Sequence, residues 1–165
     1  MGISAYYLSV PTSLKAELLQ LNQNDLLKRL EELKQIKSDS NYCMGKLWDG
    51  LHFLLTGLSA NTPIERNPFS EAIVGVHVLD MEKFISFTSP RELEPIVYQL
   101  QKISINELNL KFNPLKFHRK NIYPDIWKSY DQEELFYELI DKLRELVVFY
   151  QSCLEKQETV FVYIC

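Results

Sequence analysis

Apolar residues recur along the chain with two periods, and the change from one to the other marks out the elements. Ile3, Ala5 and Tyr7 alternate with Ser4, Tyr6 and Leu8 up to Val10, so both sides are largely apolar, as in a strand covered on both faces. Pro11 ends it, and Thr12 or Ser13 stands where a helix cap is wanted, before Leu14, Leu18 and Leu21 at helical spacing. Asn22 to Asn24 breaks that repeat. Leu26, Leu30 and Leu33 resume it on a second helix, where Asp25 and Arg29 are spaced for an i,i+4 pair. Ser38 to Tyr42 reads as a polar connector. Trp48 to Gly57 is the most apolar helix-length run, with Leu47, Leu51, Leu54 and Leu55 as its stripe and Gly57 placed to stop it.

After a turn-rich loop from Asn61 to Pro68, Ala72 to Leu79 carries Val74, Val76 and Val78 at period two and predicts a strand. A polar turn, Asp80 to Lys83, joins it to a short strand from Phe84 to Thr88, so the pair predicts a hairpin. Ser89, Pro90 and Glu92 form a capping-box signature ahead of Leu93, Ile96, Val97 and Leu100. Ser104 and Glu107 repeat that spacing, and Asn113-Pro114 opens a short helix to about Arg119. Asn121 to Trp127 is a loop with large side chains. From about Gln132 to Lys156, Leu135, Leu139, Leu143, Leu146, Tyr150 and Cys153 form the stripe of the longest helix, and Thr159 to Ile164 alternates as a closing strand. Strand, helices, two strands, helices, strand is not a regular βα alternation. The expected class is α+β: one domain over residues 1–165, with a mixed sheet of about four strands packed by several helices.

Composition narrows the function classes. At 165 residues the chain can bury a core without staples, and 46% hydrophobic residues with 12% aromatics is a globular balance. A net charge of -4 argues against a nucleic-acid surface. The one local exception is Lys111, Lys116, His118, Arg119 and Lys120, which also fits a solvated helix end. The N-terminus lacks a basic region followed by an apolar run, and there is no apolar stretch of membrane-spanning length. Cys43, Cys153 and Cys165, odd in number and widely spaced, read as reduced thiols of a cytoplasmic protein.

Few residues point to chemistry. His52, His77 and His118 lie far apart, no Cys or His pair has zinc spacing, and neither a glycine-rich phosphate loop nor a Gly-x-Ser-x-Gly elbow occurs, so neither a metal nor a cofactor is expected. Cys43 lies nine residues before His52, the only Cys-His arrangement on paper. Trp48, His52 and Thr56 share a helical face at i, i+4 and i+8, where an imidazole is placed either to contact a ligand or to be satisfied within the core. Tyr123 to Trp127 is either a binding surface or a loop pinned by two aromatic anchors. The binding candidates are therefore Trp48, His52, Thr56, Tyr6, Tyr123 and Trp127.

Several features occur in a recognisable order: Trp48 with Leu51-His52-Phe53-Leu54-Leu55-Thr56-Gly57, then Ser89-Pro90-x-Glu92 after a short strand, then Ile122-Tyr123-Pro124-Asp125-Ile126-Trp127. Phe149-Tyr150 near the end of the long helix and the terminal apolar strand complete the series. In these the chain resembles the YfbM-like family of small bacterial domains of unknown function, over nearly its whole length. The resemblance implies an α+β domain, bacterial and cytoplasmic, and supplies no catalytic residue. The chain departs from the family at Asp80-Met81-Glu82-Lys83, where relatives often have a glycine-rich turn.

Three functions compete on this reading. The first is a binding protein, in its concrete form an immunity-type protein that covers a basic partner such as a toxin, without contact to nucleic acid or membrane. The second is a small-ligand hydrolase or transferase with a pocket around His52, beside Trp48 and with Tyr6 or Tyr123 nearby. The third is a structural subunit that self-associates through an apolar patch on the long helix.

Overall fold

The computed structural model describes residues 2–165; Met1 lies outside the described residues. Five strands form one sheet: β1 (Ala5–Val10), β2 (Asn41–Gly45), β3 (His77–Asp80), β4 (Ile85–Thr88) and β5 (Thr159–Ile164). Their order is β2-β1-β5-β4-β3, and every neighbouring pair is antiparallel. The sheet is thus larger than the expected four strands and is not mixed. The closing strand β5 lies at its centre and is buried along its whole length.

Helices cover both faces. On one side lie α1 (Thr12–Leu18) and α2 (Gln23–Ile36), whose Leu18, Leu26, Leu30 and Leu33 pack on Leu8, Val10, Phe161 and Tyr163. On the other lie α3 (Trp48–Thr56), α4 (Pro68–Val74), α5 (Pro90–Gln101), α6 (Ile105–Lys111), α7 (Pro114–Arg119) and α8 (Gln132–Glu155). They enclose the larger core, into which Tyr7, Leu51, Ile73, Ile96 and Leu139 project. Two-sided coverage explains why β1 and β5 are apolar on both faces.

Several local expectations change. Ala72 to Leu79 is not a continuous strand. Ala72 to Val74 belong to α4, whose start is capped by Asn67 Oδ1 accepting from the Phe69 and Ser70 amides, with Pro68 in the first turn. That cap, together with burial against α3 and α5, outweighs the β preference of Ile73 and Val74. The connector at Ser38 to Tyr42 is a short 3-10 turn, Ser38–Ser40, leading into edge strand β2. Neither Thr12 nor Ser13 caps α1; its N-cap position is Pro11, which supplies no side-chain cap. Arg29 pairs with Glu32 rather than Asp25, and Asp25 bonds Asn22. The capping box at Ser89 and Glu92 forms as expected: the Glu92 carboxylate accepts the Ser89 amide at 2.8 Å.

Candidate functional site

The Leu-rich helix α3 organises the interior. Its spacing buries Leu51, Phe53 and Leu54, and Gly57 ends it in the left-handed region (φ 80°), where its amide donates to the Phe53 carbonyl at 2.8 Å. Trp48, in the first turn, donates its indole N–H to the Ile3 carbonyl at 3.2 Å, and its ring lies 5.8 Å from that of Tyr123. The Tyr123 hydroxyl in turn accepts the Ile3 amide at 2.7 Å. Trp48 and Tyr123 therefore come together around the N-terminal segment.

Asp49 is the residue that the sequence reading passed over. Its carboxylate is buried and accepts three hydrogen bonds, from the Ser59 hydroxyl (2.9 Å), the Ala60 amide (2.7 Å) and the Tyr123 amide (2.9 Å). Its place in the first turn of α3 also sets the negative charge against the positive end of the helix. The available signal was the lone carboxylate in the most apolar run of the chain. Beside it, Gly50 has no Cβ because the Trp127 ring occupies that space: a Cβ there would lie 2.5 Å from the indole. Trp127 is buried, donates to the Ile122 carbonyl at 2.7 Å and packs on Phe117. The loop from Ile122 to Trp127 is thus held to α3 by a carboxylate, an indole and a notch.

His52 is sealed. It is 0% exposed, its Nδ1 is 2.7 Å from the Leu58 carbonyl, and its Nε2 is 2.7 Å from the Ser70 hydroxyl. A carbonyl only accepts, so Nδ1 carries the proton and Nε2 accepts from Ser70. The Ser70 oxygen accepts the Ile64 amide at 2.9 Å, and Thr56 donates to the His52 carbonyl at 2.8 Å. Burial lowers the pKa of the ring, against smaller opposing effects of the Leu58 carbonyl and Asp49. A neutral imidazole with both nitrogens occupied ties α3 to the following loop and to α4. It does not offer the open general base that the hydrolase or transferase reading requires.

The remaining candidates are dispersed. Tyr6 lies on the opposite face of the sheet, stacked 5.2 Å from Tyr163 with the Lys34 ammonium 4.0 Å from its ring centre, so it is near neither Trp48 nor His52. Cys43 is the cross-strand partner of Tyr6 and shares that face, which separates it from His52. Burial pushes the Cys153 thiol up to about 11, leaving it protonated at neutral pH. Among the described residues no group of three His, Cys, Asp or Glu side chains is placed to hold a metal ion, and no helix is long and apolar enough to cross a membrane.

The open surface lies elsewhere, along the N-terminal half of α8. Its solvent side carries Glu133, Glu134, Glu138, Asp141 and Glu145, with Asp131 as the N-cap, against Lys142 and Arg144. Lys142 pairs with Glu145 and Arg144 with Asp141, while Glu133, Glu134 and Glu138 make no ion pair among the described residues. A depression flanks this ridge on each side. One, of about 320 Å³, is lined by Phe112, Phe136, Tyr137 and Glu133. The other, of about 510 Å³, is lined by Met44, Tyr123, Ile126 and Tyr130, with Glu138, Lys46 and Lys142 as its charged side chains. Tyr130 and Tyr137 are more than half exposed. Of the sequence candidates, Tyr123 alone reaches this surface.

Residues 1–163 match the model of a family described as a domain of unknown function, DUF1877. The chain is 28% identical over 163 residues to protein YfbM of Escherichia coli (strain K12), covering 94% of each. Its fold matches the crystal structure of that protein of unknown function with a TM-score of 0.77 and 26% identity, over 98% of this chain and 99% of the other.

Proposed function

The chain belongs to the DUF1877 family, and from that premise and the surface geometry we infer that it is an interaction module that takes a basic protein partner on the outer ridge of α8. The observation that carries this is the acidic crest flanked by two aromatic depressions. Carboxylates left without ion pairs attract basic side chains and speed encounter. The walls of Phe112, Phe136 and Tyr137 beside Glu133 suit a lysine or arginine, whose cation is favoured both over a ring face and next to a carboxylate. Tyr130 and Tyr137 are the residue type that dominates binding energy at interfaces. In its narrower form the partner is a toxin, and this chain is the immunity-type protein that covers it in the bacterial cytoplasm. Three free cysteines, two of them exposed, suit that reducing compartment.

The test compares the wild-type chain with E134K/E138K/D141K in pull-downs from cells of the source organism at low and high salt. The expected result is one protein of pI above about 9, recovered at low salt, weakened at high salt and lost with the charge reversal. Recovery of no partner at either salt, or capture that ignores the reversal, would falsify the reading.

A further inference from the structure

The outer face of α8 carries a pattern that a basic partner does not account for. At about 100° per residue, Tyr137, Asp141, Arg144 and Val148 lie within about 60° of one another around the helix axis. All four are more than half exposed, and Tyr137 and Val148 are the two large apolar side chains that α8 leaves in solvent. From its N-terminal end the stripe reads apolar, acid, base, apolar.

Such a stripe matches itself only when reversed. Two copies laid antiparallel, with a two-fold axis between Asp141 and Arg144, set Asp141 of each against Arg144 of the other and Tyr137 of each against Val148 of the other. A parallel pair instead sets acid on acid and base on base. Within the helix, Arg144 Nη1 donates to Asp141 Oδ1 at 3.3 Å. The second carboxylate oxygen and the remaining guanidinium N–H groups have no partner among the described residues, so they can bond across the axis. Reversal also keeps like charges apart. Glu133, Glu134 and Glu138 lie in the N-terminal half of α8 and meet the C-terminal half of the other copy, where Gln151 and Ser152 are uncharged and Glu155 is followed by Lys156.

We propose that this stripe joins two copies of the chain as an antiparallel α8 pair with two-fold symmetry. One helix from each side is a small contact, at the low end for protein pairs, so the dimer is weak and exchanges with monomer. The pair forms whether or not the ridge also takes a basic partner, and its test uses the pure chain alone, so either reading stands if the other fails.

Sedimentation equilibrium of the full chain from about 10 µM to about 1 mM is expected to show monomer and dimer in exchange. D141R sets like charges across the axis and weakens the dimer at least about tenfold, although it lowers the net negative charge that keeps copies apart. The swap D141R/R144D restores acid against base and brings affinity back to within about threefold of wild type. Both positions are exposed, so the variants keep their melting transition, which is checked in the same samples. The register is read from isotope-filtered NOEs in a mixed-label sample, from the Tyr137 ring to the Val148 methyls. Within one chain these lie about 16 Å apart along the helix, beyond NOE reach. A monomer at every concentration, a dimer indifferent to D141R, no recovery in the swap, or NOEs joining Val148 to Val148 each overturns the proposal.

Discussion

The interior around α3 and the outer ridge of α8 both combine aromatic with ionisable side chains and do opposite things with them. Around α3, each polar group of Trp48, Asp49, His52 and Trp127 has a partner from the chain itself, at 3.2 Å or less. Along α8, three carboxylates have no ion pair among the described residues and two tyrosines stand more than half in solvent. Buried polar groups must be satisfied at home or they destabilise the fold, whereas exposed ones lose little by remaining open to a partner. A histidine beside a tryptophan is thus architecture in one setting, and a glutamate beside a tyrosine is a contact surface in the other.

The contrast makes graded predictions. Asp49→Ala strands two amides and a hydroxyl in the core and is expected to cost about 3–5 kcal/mol. Asp49→Asn, which keeps an acceptor, costs about 1–2 kcal/mol. Urea denaturation of both variants checks this, and an alanine variant as stable as wild type would remove Asp49 from its role as hub. Gly50→Ala puts a methyl group into the Trp127 ring, and overpacking of this kind costs about 1–3 kcal/mol. A shift in Trp127 emission alongside a lower midpoint is the signature.

His52 gives a smaller, pH-dependent effect. Burial holds the folded ring below its ordinary pKa of about 6.5. As pH falls, the unfolded chain therefore takes up the proton first. Stability is full above about 6.5 and declines below it by up to about 1.4 kcal/mol per pH unit, until the folded ring titrates as well. Denaturant midpoints of wild type and His52→Gln across that range isolate the contribution. Parallel curves would mean that the ring exchanges protons freely in the folded state. Smallest of all, Tyr137→Ala and Glu138→Ala are expected to change stability by less than about 0.5 kcal/mol while weakening partner capture. A large loss of stability there would place these side chains with the interior and dissolve the contrast.

How much of this was legible depends on how local the cause is. The stripe and stop of α3, the capping box of α5, the long α8 and the apolar β5 all carry their signals within one element, and all are present. Strand β2 carries little local signal because it begins at Asn41 and ends at Gly45, both weak strand formers. Its backbone is held by pairing with β1, about 35 positions away. The strand expected at Ile73 and Val74 failed for a related reason: those residues sit in a capped turn of helix between two larger helices. At the site, the Trp48 and Trp127 anchors were visible as large residues at element ends. Asp49 was not, since its partners Ser59, Ala60 and Tyr123 give no local sign of converging on it.

Periodicity, caps and breakers, which act over a few residues, determined the class of the protein, the placing of most of its helices and the burial of its Leu-rich segment. Only the tertiary structure decided which polar groups would be closed off and which left open. That outcome depends on partners across loops and helices, from Leu58 for His52 to Tyr123, 74 positions from Asp49, and on the desolvation that each side chain meets once the sheet and helices have closed around it.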